Sequence, residues 1–103
     1  MDAANVATAM LNAAKGAAAG TWPNIQHDFA SDLTSVLRKA TRIEAQLAAG
    51  ELTEEEASEL LNDQRKTLTM LSIEVKQDEA IIVENAINAA FDVLWTAVKA
   101  AVA

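Results

Sequence analysis

The sequence of 103 residues contains no cysteine, no tyrosine and a single histidine. The absence of cysteine excludes disulfides, thiolate chemistry and cysteine-ligated zinc. The histidine, His27, is predicted on the solvent side of a helix, and the paired Glu-x-x-His motifs of di-iron bundles are absent. No pattern of residues indicates a catalytic, metal-binding or cofactor-binding site, so we expect that the chain is not an enzyme.

Glycine and proline are also scarce, and this favours helices. The three glycines and the one proline are Gly16, Gly20, Pro23 and Gly50, so uninterrupted helices are allowed elsewhere. Hydrophobic residues make up 51% of the chain, but only two are Phe and two are Trp, so the apolar content is largely alanine. Alanine favours helices that pack closely. We predict an all-α fold in which residues 1–103 form a single helical domain, because a chain of this length has room for one domain.

Positively charged residues are also scarce: 8 Lys and Arg stand against 15 Asp and Glu, so the formal net charge is −7. Binding to nucleic acid or to anionic lipid depends largely on Lys and Arg, so nucleic acid is not an expected partner and a membrane surface is disfavoured. The N-terminus opens with Asp2 and lacks the basic region of a signal peptide. The cytoplasm is therefore the expected location.

Apolar periodicity divides the chain into three predicted helices. Helix one runs from about Asp2 to Ala19, and the sequence Gly20 to Pro23 then breaks the helical pattern. Helix two continues to about Ala49, where Gly50 stops it. Its apolar stripe follows steps of four and three: Ile25, Phe29, Leu33, Val36, Ala40, Ile43 and Leu47.

The clearest local signal is the turn that precedes helix three. Thr53 as N-cap and Glu56 three residues later predict a capping box, and Glu54 and Glu55 lie favourably on the helix dipole. This acidic triplet is thus interpreted as structural. Neither Gly nor Pro follows Thr53, which predicts one helix to the C-terminus with a length of about 70 Å.

The stripe of helix three mirrors that of helix two, which indicates an antiparallel hairpin. We favour an extended arrangement because Gly50 lies near the middle of the chain. In it, helices one and two lie nearly end to end, with a kink at Gly20 to Pro23, and oppose the whole of helix three. The alternative is a compact bundle in which helix one folds back over the hairpin.

The C-terminal stretch from Ala80 carries a polar arc and a wide apolar surface. The arc consists of Glu84, Asn85, Asn88, Asp92, Thr96 and Lys99. A membrane span is rejected because charged residues near its centre would cost roughly 2.5 to 3.5 kcal/mol each. The apolar remainder is wide enough for two neighbouring helices, as in a four-helix bundle.

An extended hairpin gives each helix only one neighbour, so the second apolar stripes predict contact with another chain. We expect oligomerisation to complete a four-helix-type bundle through a close-packed interface of small residues. The predicted interface residues are Ala7, Leu11, Ala14, Ala18, Ala86, Ala89, Val93 and Ala97.

The expected function is therefore assembly or interaction without catalysis. The leading hypothesis is a homo-oligomeric scaffold or adaptor, either a dimer or a tetramer. One alternative is an acidic regulator that completes its bundle with another protein. Another alternative is an amphipathic protein that binds a membrane surface or lipid, although the polar face is not rich in Lys and Arg.

Overall fold

The computed structural model describes residues 2–70 and 77–102. Within these ranges the protein is all-α, as predicted, and no strand occurs. The four α-helices of these ranges are α1, α2, α3 and α4, which span Ala3–Ala18, Trp22–Ala48, Glu54–Thr69 and Ala80–Val102. Short 3₁₀ segments at Ala19–Thr21 and Gln77–Glu79 precede α2 and α4. The predicted boundaries of the first two helices are correct to within a few residues.

The extended arrangement differs from the structure. The molecule measures 42 × 22 × 18 Å, which leaves no room for a helix of about 70 Å. Helix α3 ends at Thr69 and α4 begins at Ala80, so the predicted third helix is present as two. Helix α2 alone has 27 residues and spans about 40 Å, so α1 lies beside it rather than beyond its end. The compact alternative is therefore the observed one.

The four helices form an antiparallel bundle within one chain. Helix α1 packs against α2 and most extensively against α4, while α3 packs against α2 and α4. The end of α1 is joined to the start of α2 by Ala19–Thr21, whereas the start of α1, residues 3–7, lies across a groove from residues 34–41 of α2. These two helices therefore run in opposite directions. The bundle that was expected to require a second copy is thus closed intramolecularly. Each helix has at least two neighbours because α1 folds back, and α2 also contacts α4.

The core follows the predicted stripe of α2 closely. All seven predicted stripe residues of α2 are buried. The large apolar residues Val83, Ile87, Phe91, Leu94 and Val98 of α4 are also buried, whereas the six residues of its predicted polar arc are exposed. Core residues of the other two helices are Val6, Met10, Ala14, Ala18, Ala57, Leu61 and Leu68. The alanines among them allow helix axes to approach closely, near the short end of the usual range of about 8 to 10 Å.

Local capping explains where the helices begin. The Asp2 carboxylate accepts hydrogen bonds from the backbone N–H groups of Ala4 and Asn5. Thr53 and Glu56 form the predicted capping box: the Glu56 N–H donates to Thr53 Oγ1 over 3.1 Å, and the Thr53 N–H donates to Glu56 Oε1 over 3.0 Å. The capping box prediction is confirmed.

The two chain reversals on either side of α2 both contain a residue with positive φ, but only one of these residues is glycine. Gly50 follows α2 with φ of 77°, a conformation that glycine adopts readily. Ala19 follows α1 with φ of 49°, which is uncommon for a residue with a Cβ atom. Beside this reversal, Trp22 is buried and its ring packs edge to face on Phe29, with centroids 5.5 Å apart. The buried aromatic pair covers the junction between α1 and α2.

Candidate functional site: the groove between α3 and α4

The residues predicted to form an interface between chains fall into two groups. Ala14, Ala18 and Ala86 are buried within the chain, so their side chains are unavailable to another molecule in this fold. The other five are half-buried: Ala7, Leu11, Ala89, Val93 and Ala97. Helices α1 and α4 pack against each other in one chain, so these three alanines are buried without a second copy. For the five half-buried residues, contact with a second copy stays a prediction.

A groove of about 220 Å³ lies between α3 and α4 on a different side of the bundle. Its walls come from residues at helical spacing of three and four on each helix, so one face of each helix lines it. The lining residues are Ser58, Leu61, Asn62, Arg65, Asn88, Phe91, Asp92 and Trp95. The two helices run antiparallel here, so Arg65 lies opposite Asn88 and Ser58 lies near Trp95.

Arg65 closes the polar end of the groove. Its Nε donates a hydrogen bond of 2.9 Å to Asn62 Oδ1 on the same helix. Its Nη1 donates a hydrogen bond of 2.6 Å to Asn88 Oδ1 on α4. The planar guanidinium is therefore fixed across the two helices, and charge-assisted bonds of this type are shorter and stronger than neutral ones.

Trp95 stands at the other end, where the groove continues into a second cleft. Its side chain is half-buried, and Lys99 Nζ lies 5.3 Å from the centroid of its ring. This distance is that of a cation–π contact. The second cleft is lined by Glu54, Glu55, Ser58 and Glu59 together with the same Trp95. Trp95 thus joins an acidic cleft to a groove with an apolar floor.

The carboxylates of the second cleft differ from that of Glu56 in their hydrogen bonds. Glu56 is held in the capping box, whereas Glu54, Glu55 and Glu59 form no hydrogen bond or ion pair within residues 2–70 and 77–102. All three are exposed. Glu54 and Glu55 lie in the first turn of α3, where negative charge interacts favourably with the helix dipole. Together with Glu59 they concentrate negative charge beside the indole ring of Trp95.

The chemistry of this arrangement is that of binding a cationic side chain. An indole face and several carboxylates attract an ammonium or guanidinium group, and the apolar floor of Leu61 and Phe91 can contact its aliphatic stem. In the described ranges, no group of three or more His, Asp or Glu side chains is placed to hold a metal ion. His27 lies exposed on α2, as predicted.

Sequence reasoning did not identify Trp95 or Arg65 as site residues. One signal was available for Trp95: Lys99 follows it at a spacing of four, which places both side chains on the same helical face. For Arg65 the same spacing rule indicates only the contact with Asn62, three residues earlier. The contact with Asn88 joins residues 23 positions apart, and no local pattern predicts it.

Helix α4 is also long and apolar enough to cross a membrane, judged by length and composition alone. Its most apolar window has a mean hydropathy of 1.4, and 39% of that window is buried inside the bundle. The core helix of a helical bundle has the same properties. Glu84, Asp92 and Lys99 lie on the exposed side of α4.

No protein family, curated protein or solved structure shows a significant match to this chain.

Proposed function

We propose that this is a non-enzymatic interaction protein that binds a basic segment of another protein in the groove between α3 and α4. The observation that carries the proposal is the position of Trp95, shared between the groove and a cleft with the three carboxylates of Glu54, Glu55 and Glu59. This is the acidic partner-binding hypothesis from the sequence, with a surface assigned to it.

Charge supports the proposal both at long distance and within the groove. At long range, the net charge of −7 attracts a basic partner and raises its rate of association, an effect that salt reduces. At short range, Glu54, Glu55, Glu59 and Asp92 line the groove and its cleft, whereas the nearby cations are Arg65 in the groove and Lys99 beside Trp95. The acidic end of the surface is thus the end that receives the partner's Lys or Arg.

Size supports a helical partner of modest length. From Glu54 to Arg65 the surface follows about three turns of α3, or roughly 16 Å. A helix of similar length can lay its apolar side chains on Leu61 and Phe91 and its basic side chain beside Trp95. Recognition of an amphipathic helix in a groove between helices is a common mode of protein interaction.

The experiment is a titration with two short synthetic helical peptides that differ in charge alone. One is built from Leu, Ala and Lys, and the other carries Glu at each Lys position. Fluorescence anisotropy of the labelled peptides measures binding at low and high salt. We expect saturable binding of the basic peptide that weakens with salt, and weaker or no binding of the acidic one. Equal affinity for both peptides, or binding of neither, contradicts the proposal.

Two charge-matched variants test whether the acidic cleft is the binding surface. The variant Glu55→Gln/Glu59→Gln removes two carboxylates beside Trp95, whereas Asp28→Asn/Glu84→Gln removes two exposed carboxylates elsewhere. Both have the same net charge. The first is expected to weaken binding of the basic peptide more than the second. Equal loss in both variants would mean that only the overall charge matters and that the cleft is not the site.

Self-assembly is a second candidate, and a different groove favours it. This groove, between α1 and α2, is lined mainly by apolar groups and includes the predicted interface residue Ala7: Ala3, Ala4, Ala7, Thr34, Leu37, Arg38 and Thr41. We propose that a homo-oligomer uses this face, because a second copy lying in the groove would cover apolar groups that one chain leaves open to solvent. Sedimentation over a range of concentrations tests it. A monomer at all concentrations contradicts it.

A further inference from the structure

The indole of Trp95 already binds a cation, which belongs to the chain itself. Lys99 Nζ lies 5.3 Å from the ring centroid, and Lys99 is exposed. We propose that Lys99 is an internal occupant of the site and that a Lys or Arg side chain of the partner replaces it on the Trp95 ring. This inference rests on the proposed function and adds an autoinhibitory contact to it.

The contact between Lys99 and Trp95 has the properties of a replaceable one. The two residues are four positions apart on α4, so the contact forms without any change elsewhere in the fold. No ion pair between Lys99 and a carboxylate forms within the described ranges of the chain. Among the described residues, an exposed cation–π contact holds the ammonium group, and such contacts correspond to about a two- to fivefold change in an equilibrium constant.

An incoming basic side chain gains more than Lys99 loses. It reaches the ring from the side of α3, where Glu54, Glu55 and Glu59 line the cleft that ends at Trp95. It therefore contacts the ring and the carboxylates together, whereas Lys99 contacts the ring from its own helix. Arg is expected to bind better than Lys because its planar guanidinium stacks on an aromatic face.

The direct test is the NMR signal of the Lys99 side chain in the 103-residue chain. Protons above an indole ring are shifted upfield by its ring current, so the Lys99 Hε signals are expected upfield of those of other lysines. Titration with the basic peptide should move them towards the ordinary lysine position. If these signals stay upfield while the peptide binds to saturation, Lys99 is not displaced and the inference is wrong.

Affinity measurements test the same inference with a matched control. Lys99→Gln frees the ring, and Lys39→Gln removes one exposed positive charge from α2. The two variants have equal net charge. We expect Lys99→Gln to bind the basic peptide about two- to fivefold more tightly than Lys39→Gln does. Equal affinities would show that Lys99 acts through net charge alone and would overturn the competition.

The variant Trp95→Leu separates this inference from the proposed function. It keeps an apolar side chain between the groove and the cleft but removes the aromatic face. In the Trp95→Leu background, Lys99→Gln and Lys39→Gln should have the same affinity for the peptide. A difference that persists without the indole would contradict the role of the ring. Failure of every variant and of the parent protein to bind the basic peptide would instead refute the proposed function itself.

Discussion

Arg65 on α3 and Asn88 on α4 are 23 residues apart in sequence and share a hydrogen bond of 2.6 Å from Nη1 to Oδ1. Asn88 belongs to the exposed polar arc of α4, and a substitution at an exposed helix position is ordinarily expected to have little effect. The contact changes that expectation, since Asn88 helps to hold two helices together. Asn12, which is exposed on α1, is the better silent control.

Loss of this contact should lower the stability of the bundle. Arg65→Met keeps an aliphatic stem but removes the donors, and it should reduce the free energy of unfolding by about 1 kcal/mol, since a net hydrogen bond contributes roughly 0.5 to 1.5 kcal/mol. Urea unfolding measures the change, with Asn12→Ala as the near-neutral control. In a double-mutant cycle, strictly additive effects of Arg65→Met and Asn88→Ala would show that the contact contributes nothing.

The capping box at the start of α3 predicts a loss of stability in Thr53→Ala. The variant removes the acceptor for the Glu56 N–H, and lost N-caps of this type cost about 1 kcal/mol. Thermal or urea unfolding measures the effect. Thr67→Ala, at an exposed position inside the same helix, should be neutral or slightly stabilising because alanine has the higher helix propensity. Equal effects in the two variants would argue against a capping role for Thr53.

Replacement of Gly50 and of Gly16 by alanine should change the stability of the protein in opposite directions. Gly50 has φ of 77°, so Gly50→Ala should destabilise the protein by about 1 kcal/mol although its Cβ would meet no atom within 4 Å. Gly16 lies inside α1, and a Cβ there also meets nothing within 4 Å. Gly16→Ala should therefore stabilise the protein by about 0.5 to 1 kcal/mol. Shifts of the same sign in the unfolding midpoint would contradict this account.

Ala14 and Ala89 separate folding from assembly. Ala14 is 0% exposed, so Ala14→Glu buries an unpaired carboxylate in the core and should lower the free energy of unfolding by about 3 kcal/mol. Ala89 is half-buried, so Ala89→Glu should change stability much less. Unfolding and sedimentation measure the two properties, with Asn12→Glu as control.

The Ala89→Glu variant has one further use. If it lowers the sedimentation mass of the protein and leaves its unfolding midpoint unchanged, α4 takes part in contacts between copies. If both variants are as stable as the parent, the core packing of α1 described above is incorrect.

Local features of the sequence determined the helices and the faces that they bury. The stripe of α2 from Ile25 to Leu47, the Thr53 capping box and the reversal at Gly50 all depend on residues within a few positions of each other. Hydrophobic periodicity and capping are short-range effects, so a single sequence contains the information needed to predict them. The exposed arc of α4 followed from the same periodicity.

Only the tertiary structure decided how those helices are arranged. A break at Ala19–Thr21 is compatible with a kink and with a full reversal, and the choice depends on which arrangement buries more apolar surface. Folding back gives α1 and α4 at least two neighbours each in one chain, which removes the reason for requiring a second copy. The groove around Trp95 follows from the same choice, because Arg65 and Asn88 meet only when α3 and α4 are separate antiparallel helices. Contacts between residues far apart in sequence depend on the packing of the whole chain, and no local pattern encodes them.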